Sequence, residues 1–125
     1  MAISVRQPWA GLIASGQKTI ETRTWETRYR GPLLIASSKR IDHDAYAYLR
    51  SIGVQLPRKE DLVLGAVIAT AHLSLIEPYR KDLEALGLCP STDGERRFGW
   101  FLDDVVMLDK PVPVKGALGL YEVDL

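Results

Sequence analysis

An α+β fold is what this sequence predicts: a small closed sheet of mixed composition, a β-barrel, with two to three helices beside it. Three observations carry that reading. Short apolar runs rich in β-branched residues recur along the chain, separated by Gly or Pro. Two helix signals, each with a start residue and a glycine stop, fall in the first half. The length, 125 residues, suits one hydrophobic core, so a single domain over 1–125 is expected.

Taken in order, Ala2 to Val5 reads as a short strand. Pro8 sits where a helix can begin, because a first-turn proline loses no hydrogen bond. Trp9, Leu12 and Ile13 follow at helical spacing, and Gly16 ends a helix of about two turns. Lys18 to Trp25 is a strand by its β-branched content. A regular strand places Thr19, Glu21, Arg23 and Trp25 on one face, and Lys18, Ile20, Thr22 and Thr24 on the other. Ile20 puts the second face on the core, so Glu21, Arg23 and Trp25 face an opening or solvent. Lys18, just after a glycine turn, has no defined direction.

Gly31-Pro32 marks a turn, and Leu33 to Ser37 is an apolar strand ending in Ser37-Ser38-Lys39-Arg40. Asp42 is a good N-cap for a second helix, with Ile41 and Tyr46 as a hydrophobic staple. Ala45, Leu49 and Ile52 share its buried face and Gly53 stops it. Residues 54–61 read as loop. Leu64 to Ile76 is a long strand with Val67, Ala69, Ala71, Leu73 and Leu75 inward and Thr70, His72 and Ser74 outward. Tyr79 to Leu88 fits a short surface helix, and Pro90 to Arg96 a loop. Phe98 to Leu108, bulged near Gly99, Pro111 to Lys115, and Gly119 to Val123 are the closing strands.

Composition narrows the function classes. Apolar residues make up 46% and charged residues 26%, the balance of an ordinary globular domain. A net charge of zero argues against coating duplex DNA by bulk positive charge, but not against a small basic site for one strand or one nucleotide. Residues 23–40 do concentrate Arg23, Arg28, Arg30, Lys39 and Arg40 against Glu26 alone. No apolar run reaches the roughly 18–20 residues that span a bilayer, and the first residues lack a signal-peptide pattern. No membrane role is expected, and the cytoplasm is the default location. Cys89 is the only cysteine, and His43 and His72 are far apart in sequence, so neither a disulfide nor a metal site is expected. No Walker loop, G-x-G-x-x-G or Ser-His-Asp arrangement occurs, and no cofactor is implied.

The segment SVRQPWAGLIASGQKTIETRTW resembles the opening of the ASCH domain family, a relative of the PUA RNA-binding fold. In that family a short strand leads into a helix and then into a G-x-K-x-x-x-x-R strand. Gly16, Lys18, Glu21 and Arg23 match positions of that signature. IASSKR, the run from Phe98-Gly99-Trp100 through Pro111 to Gly116, and Gly119-Leu120-Tyr121 resemble later family strands, so the likeness covers nearly the whole chain. It implies a PUA-like barrel with helices beside a cleft. Family members are proposed as RNA-binding or coactivator-associated modules. Some relatives resemble metal-independent amidohydrolases acting on an acylated (N4-acetyl) cytidine, and others are linked to RNA cleavage. The amidohydrolase type uses a lysine, a threonine and a glutamate. Lys18 matches the lysine, whereas Glu21 stands in the threonine's place.

The residues themselves allow this chemistry. Lys18 suits phosphate binding, or acts as a base if desolvation lowers its pKa; a solvated turn lysine is the alternative. Glu21 can accept from a base amino group or serve as a general acid or base, and Arg23 suits a phosphate or a carbonyl edge. The same pair also fits a structural ion pair on a barrel rim. Trp25, on their face, suits base stacking; Trp9 on an apolar helix face fits the core better. Trp100 is open to either role, and Tyr29 could supply an aromatic lid. Ser37, Ser38, Lys39 and Arg40 form either a phosphate cradle or a solvated loop. The resemblance adds Lys115 near the cleft. RNA or another single-stranded nucleic acid, or a modified nucleoside, is the expected partner; an amidohydrolase or ribonuclease using Lys18 and Glu21, and a protein-interaction module, are the alternatives.

Overall fold

The computed structural model describes residues 1–92 and 96–125. Its strands are β1 (Ala2–Gln7), β2 (Ile20–Arg23), β3 (Gly31–Ile41), β4 (Ala66–Pro78), β5 (Phe98–Pro113) and β6 (Leu120–Tyr121), and its helices are α1 (Trp9–Ala14), α2 (His43–Ser51) and α3 (Glu84–Gly87). One six-stranded sheet runs β2-β5-β4-β3-β1-β6. β1 and β3 are parallel; every other pairing is antiparallel. The closed barrel expected from sequence is corrected here. Among the described residues no ladder joins β2 to β6, and these two strands remain as edges. The sheet still curls, since Arg23 of β2 reaches the Ser4 carbonyl of β1.

The main core fills the inner face. Ile3, Val5, Leu33, Ile35, Ala69, Leu73, Trp100 and Leu102 from the sheet enclose Ala10 and Ile13 of α1. A second cluster, Leu12, Ala45 and Leu49, joins α1 to α2. A third, Ile20, Tyr79, Leu83 and Cys89, backs the β2 edge. Trp9 touches all three clusters from its half-buried position. The Asp42 side chain caps α2 by accepting from the Ala45 amide at 3.2 Å, as its sequence position predicts.

Several expectations change. Ile52 is 48% exposed, because it lies at the C-terminal cap of α2 rather than inside the helix. Leu75 is 43% exposed: pairing moves from Leu73↔Leu102 to Leu75↔Phe101, and the one-residue slip at Ser74 breaks the inward alternation. Val67, Ala69, Ala71 and Leu73 do point inward. The two strands expected at 98–108 and 111–115 are one strand, β5. Ala69↔Met107 and Val67↔Val112 frame the residues that loop out between its paired stretches. Its bulge lies not at Gly99, which pairs regularly with Thr22, but near Asp104, whose φ is 51°. The helix expected over 79–88 shrinks to a 3-10 turn, Lys81–Leu83, and α3, and buries Leu83 and Gly87 rather than lying free on the surface. Of the loop expected over 90–96, residues 93–95 lie outside the described residues. No helix among the described residues is long and apolar enough to cross a membrane.

Candidate functional site

Chain reversal after α1 builds the site. Gly16, with φ 84°, turns the backbone, and the Lys18 amide donates to the Leu12 carbonyl at 3.0 Å. The Thr19 amide then donates to Leu86, and the Thr19 carbonyl accepts from Leu102, both at 3.0 Å. Regular pairing starts only at Ile20, so residues 18 and 19 escape the alternation that a strand over 18–25 would impose. Lys18 thereby enters the same hollow as Glu21 and Arg23.

Lys18 is 1% exposed, which overturns its reading as a solvated turn lysine. Its Nζ donates to the Gly87 carbonyl of α3, lies 3.8 Å from Glu21 Oε1, and stands 4.8 Å from the centre of the Trp9 ring. Burial pushes the Lys18 pKa below its usual 10.5, and the charge of Glu21 partly offsets that shift. Arg23 Nη2 meets Glu21 Oε2 at 3.0 Å and donates to the Ser4 carbonyl at 2.7 Å. Glu21 Oε1 also accepts from the Thr22 amide at 3.1 Å. Arg23 Nε is buried with no hydrogen-bond partner among the described residues. The three side chains thus form one chain of charge, Lys18–Glu21–Arg23, held at both ends by backbone carbonyls.

They line a hollow of about 470 Å³, within the usual range for small-ligand clefts. Ser4, Val5, Arg6, Thr22, Thr24, Trp9, Trp25, Asp42, Cys89 and Arg97 complete its wall. Trp25 is half-buried and leans edge-on against Trp100, ring centres 4.9 Å apart at 79°, while Trp100 Nε1 donates to the Trp25 carbonyl at 3.2 Å. Trp100 itself is fully buried and belongs to the core. Trp9 Nε1 donates to Asp42 Oδ2 at 2.9 Å, which fixes its ring over Lys18. Tyr29 donates to the Pro32 carbonyl and packs on the core; it does not line this hollow, so the lid reading fails.

The other predicted residues lie in a neighbouring hollow of about 630 Å³, which contains Ser37, Ser38, Lys39, Arg40 and Lys115 and shares Ser4, Arg6 and Arg23 with the first. Ser37 is 2% exposed, and its hydroxyl is engaged with Ala66, donating to the carbonyl at 3.2 Å. It braces β3 against β4 and has no hydroxyl presented to solvent.

Sequence reasoning missed Ser4, Val5, Arg6, Thr22, Thr24, Asp42, Cys89 and Arg97 as wall residues. Ser4 and Arg6 had a signal: in a strand with Ile3 and Val5 inward, they share the outer face. Cys89 had none, because Tyr79 places it, donating to the Cys89 carbonyl at 2.6 Å. Its Sγ lies 3.6 Å from Thr22 Oγ1. Among the described residues no group of His, Cys, Asp or Glu could hold a metal ion.

A mixed sheet with a polar, cation-and-carboxylate hollow beside its first helix defines an α+β domain with one candidate site at that hollow. The chain belongs to the ASCH domain family, whose model matches residues 3–123. It is 47% identical over 38 residues to Activating signal cointegrator 1 from Homo sapiens. That stretch is 30% of this chain and 6% of that protein, so the chain spans only a small part of the relative it matches. The crystal structure of ASCH from Zymomonas mobilis superposes with a TM-score of 0.60 at 16% identity, over 90% of this chain and 72% of that one. A point mutant of that protein gives 0.58 at 17%, covering 90% of this chain and 74% of that one. At such identities the likeness speaks for the fold alone.

Proposed function

We propose that this domain binds single-stranded RNA, or a modified nucleoside, by taking one base into the Lys18–Glu21–Arg23 hollow. The observation that carries this reading is the convergence of those three side chains with Trp9 and Trp25 around a single cleft. The Glu21 carboxyl, held between Lys18 and Arg23, has acceptor lone pairs for an exocyclic amino group. Arg23 spends Nη2 on Glu21 and Ser4, which leaves Nη1 to donate to a base carbonyl or phosphate. The half-buried Trp25 offers an apolar wall for a base. Only an unpaired or extruded base exposes the edges this hollow would read.

The test is retention of an eight-nucleotide single-stranded RNA of mixed sequence. Saturable, salt-sensitive binding is expected, weakened in both Arg23→Ala and Trp25→Ala. Unchanged affinity in both folded variants would reject the site.

One observation favours a second reading. Burial lowers the Lys18 pKa, which raises the share of neutral, nucleophilic amine, and Glu21 lies beside it. A metal-independent hydrolase of an acylated (N4-acetyl) cytidine or of RNA would use Lys18 and Glu21 as base or nucleophile and Arg23 to hold the developing charge. It requires turnover in EDTA that disappears in Lys18→Ala while the fold persists. Survival of N4-acetylcytidine and of the octamer through long incubation with the wild type would remove it. A protein-interaction module without a nucleotide ligand would call for an exposed apolar patch together with a plugged cleft; an apolar hollow around Leu12, Leu56 and Met107 is present, but the first hollow is open.

A further inference from the structure

The second hollow differs from the first in composition. Arg6, Arg23, Lys39, Arg40 and Lys115 all line it, and no carboxylate does among the described residues. In a chain of zero net charge, this is a marked segregation of cations. The backbone builds it. β1 pairs with β3 at Val5↔Ser37 and next at Gln7↔Ile41, so Arg6 alone stands opposite Ser38, Lys39 and Arg40. That bulge pushes two cations out of the ladder, a common way for a sheet to re-aim side chains. Ser38 closes it locally: its hydroxyl accepts from the Arg40 amide at 3.1 Å and lies 3.3 Å from the Arg40 carbonyl.

The floor is equally fixed. The Gly65 amide donates to the Ser37 carbonyl at 2.9 Å, and the Val114 amide to the Gly65 carbonyl at 3.0 Å, which ties the end of β5 and Lys115 to the bulge. Gly65 has φ 71°, and a Cβ there would meet the Lys39 stem at 3.2 Å, so glycine both makes this turn and leaves room for Lys39. Lys39, Arg40, Lys115 and Arg6 are exposed. Arg6 and Arg23 line both hollows.

We infer that the two hollows form one continuous site, in which the basic hollow holds the phosphodiester backbone of the strand whose base occupies the first. Arg6 and Arg23, at the junction, contact the linking phosphate. This deepens the binding reading above and rests on it: the ligand class becomes an RNA strand of at least two nucleotides, not a free nucleoside. The chemistry fits, since clustered exposed Lys and Arg bind phosphates without reading sequence, whereas the mixed charges and aromatics of the first hollow discriminate bases.

The test compares wild type with a Lys39→Gln, Arg40→Gln, Lys115→Gln triple variant, using the mixed-sequence RNA octamer and, separately, the four ribonucleosides. Folding is checked by the dispersed indole signals of the tryptophans. The triple variant should bind the octamer at least tenfold more weakly at 50 mM salt. Its slope of log affinity against log salt should be shallower by about 0.7 per removed cation, roughly 2 in all. A merely structural role would not flatten that slope. An octamer affinity and slope equal to wild type would overturn the inference, and the base-binding reading would survive if Trp25→Ala still weakened the octamer. Failure of the wild type to bind the octamer would also overturn it, and ribonucleoside binding would then decide whether the first hollow has a role at all.

Discussion

The two hollows share Ser4, Arg6 and Arg23 yet hold their charges in opposite ways. In the first, Lys18 and Glu21 are buried and tied to each other, to Arg23 and to two backbone carbonyls. In the second, Lys39, Arg40 and Lys115 are exposed on a bulge and a strand end. Buried charges cost desolvation and persist only with fixed partners, so they present a defined pattern to a guest. Exposed cations keep their hydration and attract any phosphate within a Debye length, about 10 Å at 0.1 M salt. In the binding mode proposed above, the first region discriminates and the second attracts.

The largest expected effect is on stability. Glu21→Ala leaves the Arg23 charge without its carboxylate and is expected to cost about 3 kcal/mol, seen as a lower urea midpoint. Each of Lys39→Gln, Arg40→Gln and Lys115→Gln should move that midpoint by less than about 0.5 kcal/mol. Equal costs in the two regions would erase the distinction between them.

Binding comes next. Trp25→Ala should weaken octamer affinity by about 1–3 kcal/mol at every salt concentration, as lost stacking does. Lys115→Gln should weaken it mainly at low salt, with a slope change of about 0.7. Isothermal titration across a salt series separates the two patterns.

The smallest effect is on pH dependence. A lysine whose folded pKa lies below 10.5 binds fewer protons in the native state than in the unfolded chain, between the folded value and 10.5. Stability should therefore rise with pH across that window. Because Glu21 raises the Lys18 pKa, Glu21→Gln should widen the window downward. Urea midpoints against pH for wild type, Glu21→Gln and Lys18→Met check this; the rise should vanish in Lys18→Met.

Much of this was legible from local pattern. The Asp42 cap, the inward Ile20, and the shared face of Glu21 and Arg23 follow from turn chemistry and strand period alone. The parts that were not legible depend on distant chain. Lys18 is buried because Gly87 and Trp9 close over it, and Gly87 lies 69 residues away in sequence. Leu75 is exposed because a bulge at Ser74 breaks a period that looks regular in sequence. The open sheet edges depend on how far β2 and β6 extend, and each is far shorter than its sequence run suggested. The two hollows adjoin because β1 runs between β2's cluster and the β3 bulge, a juxtaposition that no single segment encodes.

The claim on which the function rests is that a base enters between Trp9, Trp25 and the Lys18–Glu21–Arg23 cluster. Its most direct test is a nitrogen–proton NMR titration of wild type and Arg23→Ala with the RNA octamer, following the indoles of Trp9 and Trp25 and the amides of residues 21–23. Saturable shifts at those signals, strongly weakened in Arg23→Ala, are expected. Shifts confined to the apolar hollow around Leu12, Leu56 and Met107, or shifts identical in the two proteins, would contradict it.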